Sequence, residues 1–162
     1  MKTVYLGIGS NIGDRDANLR EAIARLEAGD VSIVQRSSLY ETAPREVLDQ
    51  PWFLNAVVEA KTELFPLQLL ARIRNIEQEM GRRRMMPKGP RNIDIDILFY
   101  GRSLIHTSEL EVPHPHIGER RFVLEPLAEI APEFRHPGNG KTAGEMLSAL
   151  EPQGVRRLNT TL

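Results

Sequence analysis

Cysteine is absent from all 162 residues, which excludes a disulfide framework, a thiolate nucleophile and any zinc site built on thiolates. Long apolar runs are missing too, so no bilayer-spanning helix is expected. The N-terminal "MKTVYLGIGSNIGD" is cut short by glycines and carries no cleavage-like tail, so no secretory leader is expected either, and a cytoplasmic location follows as the expectation. Neither sign of charge is in excess. A net charge of -1 argues against a general nucleic-acid binder, although a neutral total still permits a local basic patch. The chain shows no internal repeat, low-complexity tract or linker. What it does have, 41% apolar and 27% charged residues, is enough for one compact core and short for two. A single domain over 1–162, monomeric and free of membrane, is the expectation.

Periodicity divides the chain into elements. "VYLGIG" alternates as a first strand, and the helix after it carries Leu19, Ala22, Ile23 and Leu26 on one face, with Asp14 or Asp16 to cap its start and Gly29 its end. "VSIVQRSSLYET" reads as one strand rich in β-branched residues. The loop "APREVLDQP" is longer than a hairpin needs and is a candidate lid. In the third strand, "WFLNAVVEAKTEL", Leu54, Ala56, Val58 and Ala60 form a core face, while Phe53, Asn55 and Val57 face the other way. Pro66 opens a helix with Leu69, Leu70, Ile73, Ile76 and Met80 along one stripe, and Gly81 suits its end. A fourth strand lies in "GPRNIDIDILFYG". Strand, helix, strand, strand, helix, strand is the split βαβ order, an α+β fold whose antiparallel sheet has both helices on one face and leaves the other free. Beyond it, a C-terminal extension rich in Pro and Gly holds a short helix at "TAGEMLSAL" and a strand near "VRRL".

Two aspartates stand inside the fourth strand, where aspartate is disfavoured. If Ile93, Ile95 and Ile97 pack on the helices, Asp94 and Asp96 share the uncovered face, roughly 7 Å apart by the strand repeat. Such a pair either solubilises an exposed sheet face or holds hard divalent cations, for which oxygen ligands of this kind suit Mg²⁺ or Mn²⁺. The preceding "GRRRMMPKGPR" contributes five basic residues and no acid. Carboxylates for metal beside arginines for phosphate oxygens are what a chelated polyphosphate requires. His114 and His116 alternate in "VPHPHIGERRF" and, with the two aspartates, support a competing reading as a metal-dependent phosphohydrolase. Phe53 and Asn55 on the free face, with Phe122 downstream, suit a flat hydrogen-bonding heterocycle. A sheet of this order also occurs in RNA-binding modules, but paired aspartates on the open face count against that reading. "GIGSNIGD" is spaced wrongly for a dinucleotide fingerprint and reads as a strand-to-helix turn.

Taken together, "GIGSNIGD", "SSLYETAP", "DQPWFLNAVV", "GPRNIDIDILFYG" and "VPHPHIGERRFVLEPLAEIAP" resemble the 6-hydroxymethyl-7,8-dihydropterin pyrophosphokinase family of folate synthesis, nearly end to end. The resemblance implies a ferredoxin-like βαββαβ fold and Mg²⁺-dependent transfer of pyrophosphate from ATP to the pterin hydroxymethyl group, with AMP released. It implies that Asp94 and Asp96 hold two Mg²⁺ ions. It implies that Thr42, Pro44, Phe53, Asn55 and Phe122 bind the pterin, and that Arg84, Ile97, His114 and Arg120 bind ATP. Arg82 and Arg91 would act in the transition state. The position just before Gly-Pro-Arg, where the family often has tryptophan, is Lys88 here, and Phe53 stands where tyrosine is frequent.

Overall fold

The computed structural model describes residues 1–44, 49–81 and 91–162. Strand β1 (Lys2–Ser10) leads into helix α1 (Arg15–Glu27), whose N-terminus is capped by Asp14, its Oδ1 accepting from the Ala17 amide at 3.1 Å. The helix ends at Ala28, and the left-handed residue that follows is Asp30, at φ 62°, instead of Gly29. Gly29 lies against the end of the Arg72 side chain: a Cβ there would lie 2.2 Å from its Nε, so the arginine would have to move aside.

The segment read as one strand over residues 31–42 is two, β2 (Val31–Arg36) and β3 (Ser38–Thr42). Both pair antiparallel with β4 (Phe53–Thr62). Ser37 makes the break, its hydroxyl accepting from the Val57 amide at 2.9 Å and donating to the Ser38 carbonyl at 2.8 Å. Helix α2 (Pro66–Glu79) starts on proline and is followed by Gly81 at φ 74°, as its stop signal predicts. Strand β5 (Asp94–Tyr100) pairs with β1, and the main sheet runs β5-β1-β4-β3, extended at the β3 edge by β8 (Val155–Thr161). A small separate ladder joins β6 (Ile105–His106) to β7 (Glu111–Val112).

One sheet face packs on α1 and α2, with Leu19, Ile23, Leu26, Leu69, Ile73 and Ile76 buried against Leu6, Ile8, Ala56, Val58, Ile95 and Ile97. Each fully buried aliphatic side chain contributes about 1.5–3 kcal/mol. The opposite face is not free, which corrects the expectation of helices on one side only. Helix α3 (Arg121–Ile130) and the capped α4 (Ala143–Ser148) build a second core there, in which Val123, Leu124, Leu127 and Met146 bury Tyr5, Val57, Leu98 and Phe99. A bulge in β5 makes this second core larger. Tyr5 pairs with Phe99 and Leu6 with Ile97, so Leu98 has no partner across the ladder, and Leu98 and Phe99 both join the second core.

Candidate functional site

Helices α3 and α4 cover only part of the second face, and the part left uncovered is a cavity of about 430 Å³. That volume lies within the range of small-molecule sites. Sheet register explains its floor. Asp94 is across from Gly9 and Gly9 from Asn55; in the next row Asp96 is across from Gly7 and Gly7 from Val57. Two glycines of β1 therefore separate the acidic strand from the amide strand, and no side chain rises between them. A Cβ on Gly9 would lie 2.5 Å from Oδ1 of Asn55, so the amide occupies space that only glycine leaves open.

The buried Asn55 donates from Nδ2 to the Thr42 hydroxyl at 2.7 Å. This fixes which end of the amide faces β3 and holds Oδ1 on the glycine side. Phe53 and Phe122 line the same cavity, together with Pro44. Each ring carries a guanidinium over it: Arg91 lies 5.0 Å from the Phe53 centroid and Arg120 5.5 Å from that of Phe122. The Nε of Arg91 is buried without a hydrogen-bond acceptor among the described residues, and its nearest recorded anion, Oδ2 of Asp94, is 3.8 Å away. A buried charged donor left over in this way suits an anionic ligand.

Asp96 lies deep on the cavity wall. Loss of water, then the neighbouring Asp94 charge and that of Glu77, push its carboxyl up to about 7, while Arg120 and Arg91 pull it down. A carboxylate that resists ionisation because it has lost water and another stands beside it is stabilised in its charged form by a hard divalent cation, and every donor this pair offers is oxygen. The acid pair therefore fits Mg²⁺. The strand that carries it is held from behind by Glu77, buried on α2, whose Oε2 accepts from the Ile95 amide at 2.9 Å. The helix pattern gives no sign of this, since Glu77 falls beside the apolar stripe and looks like a solvent residue.

His114 also lines the cavity, its amide donating to the Leu98 carbonyl at 3.1 Å, and the Val112–Pro113 peptide before it is cis. His116 borders the cavity with a mostly exposed ring that meets Glu119 at 3.2 Å, and the two imidazoles are 6.0 Å apart. Among the described residues, no three histidine, aspartate or glutamate side chains converge as a metal set. The structure thus brings Thr42, Pro44, Phe53, Asn55, Arg91, Asp94, Asp96, His114, Arg120 and Phe122 to one cavity. It does not bring Ile97 there: strand alternation buries that side chain in the first core, on the α2 side. Arg82, Arg84 and Lys88 lie outside the described residues. Gly7, Gly9 and Gln50 also line the cavity, and in the sequence two glycines at alternate positions of a strand are the signal of such a close approach.

The chain matches the family model described as 7,8-dihydro-6-hydroxymethylpterin-pyrophosphokinase over residues 5–132. It is 45% identical over 159 residues to the 2-amino-4-hydroxy-6-hydroxymethyldihydropteridine pyrophosphokinase of Methylorubrum extorquens, an alignment covering 98% of the chain and 99% of that protein. It is 43% identical to the folic acid synthesis protein fol1 of Pneumocystis carinii over 86% of the chain, and spans only 19% of that longer relative's length; for two plant relatives the share is 23% and 25%. In fold it is similar to the HPPK-DHPS of Plasmodium falciparum, with a TM-score of 0.73 at 19% identity, covering 91% of the chain and 43% of that structure.

Proposed function

The chain belongs to the 7,8-dihydro-6-hydroxymethylpterin-pyrophosphokinase family, and on that premise we propose that it transfers the β,γ-pyrophosphoryl group of ATP to the hydroxymethyl oxygen of 6-hydroxymethyl-7,8-dihydropterin in folate biosynthesis, releasing AMP. The observation that carries this reading is the single cavity in which an acid pair, two arginines and an aromatic-amide recess meet across a glycine floor. The antiparallel order β5-β1-β4-β3 supports a ferredoxin-like reading of the first hundred residues, with β8, α3 and α4 as the extension.

In this mechanism the protein forms no covalent intermediate. Asn55, oriented by Thr42, hydrogen-bonds the edge of the pterin, and Phe53 and Phe122 supply apolar faces for the ring. The substrate alcohol is thereby aimed toward the β5 side of the cavity, where Arg91 and Arg120 neutralise phosphate oxygens as charge moves to the leaving AMP. Asp94 and Asp96 are the residues that would hold two Mg²⁺ ions, which when bound screen the triphosphate and polarise its oxygens. In this reading His114, which lines the same cavity, contacts ATP. Arg82 and Arg84 belong to this reading through family resemblance. The phosphohydrolase alternative lacks a convergent histidine and aspartate set among the described residues, and α3 and α4 cover part of the platform that an RNA-binding sheet would need.

The test is product identity. Incubation with ATP, Mg²⁺ and the hydroxymethyl dihydropterin should yield AMP, and only when the pterin is present, whereas Asp96→Asn should slow the reaction by roughly a hundredfold or more. Formation of ADP, or turnover of ATP without the pterin, would refute the assignment.

A further inference from the structure

The segment between α4 and β8 takes no part in the chemistry described, yet Gln153 within it reaches the cavity wall that carries Arg120 and Phe122. Arg120 is an extended residue, at φ -118° and ψ 103°, caught between the end of a 3₁₀ turn (Ile117–Glu119) and the start of α3. Arg120 occupies the N-cap position of that helix but makes no capping hydrogen bond with its side chain. The cap comes instead from 32 residues away, where Oε1 of Gln153 accepts from the Arg121 amide at 3.1 Å. Nε2 of the same side chain donates to the Glu119 carbonyl at 3.1 Å. One planar amide therefore grips the backbone on both sides of Arg120. A backbone N–H can only donate and a backbone carbonyl can only accept, so the grip demands a side chain with one acceptor and one donor. Glutamine meets that demand, glutamate meets half of it, and alanine none.

The next residue extends the link to the facing wall. The Gly154 carbonyl accepts from the Ala43 amide at 2.8 Å, and a Cβ on Gly154 would lie 2.9 Å from that of Ala43. Ala43 stands between Thr42 and Pro44, which line the cavity opposite. A smaller recess of about 220 Å³ adjoins it, bordered by Pro44, Phe122, Gln153 and Gly154. Phe122 thus has open space both toward the substrate and toward the C-terminal segment, and packing against its neighbours alone does not set its distance from Pro44. We propose that Gln153 is a positioning residue for the reaction: its amide, anchored on the end of β3 through Gly154, holds Arg120 and Phe122 at a fixed distance from Thr42 and Pro44. The inference rests on the function proposed above. The physical reason is that the joint at Arg120 belongs to no ladder and no helical repeat, so the peptide groups beside it need partners from elsewhere, and one rigid amide supplies both.

Two substitutions separate this grip from a plain helix cap. Gln153→Glu keeps an acceptor for the Arg121 amide and adds a charge that a helix N-terminus favours, but it sets an oxygen against the Glu119 carbonyl. Gln153→Ala abandons both contacts. For Gln153→Ala, kcat should fall by about tenfold as Arg120 loses its place, and KM for the pterin should rise by about fivefold as Phe122 does. For Gln153→Glu, thermal stability should stay near wild type while kcat still falls by about fivefold. Amide hydrogen exchange, read by NMR with no substrate present, should quicken at Arg121 in Gln153→Ala and stay slow there in Gln153→Glu. Met146→Ala loosens the second core without touching residues 119–121 and serves as the stability control. A loss of kcat in Met146→Ala as large as that in Gln153→Ala would mean a purely structural role and overturn the proposal. Wild-type kinetics in Gln153→Glu would reduce Gln153 to a helix cap and equally overturn it. If wild-type protein forms no AMP, the functional reading fails by itself, whereas unchanged exchange at Arg121 in Gln153→Ala would show that the grip is absent whatever the reaction.

Discussion

At Gly9 the absence of a side chain is the functional feature. The strand tolerates glycine at some cost in backbone entropy, and what it gains is room for the Asn55 amide, which a methyl group at 2.5 Å would displace. Gly9→Ala is therefore expected to weaken pterin binding by roughly tenfold or more, while ATP binding stays within about twofold, measured by calorimetric titration with each ligand. Gly7 is less demanding, because its added methyl would meet only Leu98 at an ordinary 3.5 Å. Alternation along a strand made Asp94, Asp96, Phe53 and Asn55 legible as a shared face, because a period of two is a property of the backbone alone. The same alternation places Ile97 in the helix-side core. Asn11 and Glu77 were not legible, since their partners, Arg91 with Pro51 in one case and Ile95 in the other, are far away in the sequence.

Among the elements, α1, α2, β4 and β5 follow from periodicity and end signals, whereas α3 does not. Pro126 sits in its interior and suggests a loop, yet tertiary burial of Val123, Leu124 and Leu127 outweighs the lost hydrogen bond. The helix is held to the sheet edge by Glu129, whose carboxylate accepts from the Ser38 amide and hydroxyl at 3.0 and 2.9 Å and from the Tyr40 hydroxyl at 2.9 Å, and pairs with Arg157 at 3.1 Å. Burial and that carboxylate raise the Tyr40 hydroxyl well above its usual range, keeping it a donor. Glu129→Ala should destabilise the protein by about 2–3 kcal/mol, seen as a lower denaturation midpoint in urea. Phe122 and Arg120, at the N-terminal end of α3, should lose position with it, so a raised KM for both substrates is the accompanying expectation.

Across the whole molecule, one ionic contact ties the start of α1 to the last strand. Glu41 on β3 pairs with Arg15 at 2.8 Å on one side and with Arg156 of β8 on the other. Hydrogen bonds from Arg15 and then Arg156 hold its carboxyl below the ordinary 4.5. A carboxylate with a lowered native value adds stability above its unfolded value and loses it as pH falls through the native one. Glu41→Gln should accordingly lower the melting temperature at pH 7, and the gap between variant and wild type should narrow as pH falls below the ordinary carboxylate range, read from parallel thermal scans. By itself, the sequence determined where β1, β4 and β5 and the two amphipathic helices fall and that the acidic pair faces away from those helices, because these depend on repeats of two and 3.6 residues within short windows. Tertiary structure alone decided that α3 and α4 close over part of the second sheet face, that a bulge at Leu98 turns Phe99 toward them, and that Asn11 joins two distant segments. Those outcomes depend on which surfaces bury one another, and no local repeat encodes a contact between residues that meet only when the chain is folded.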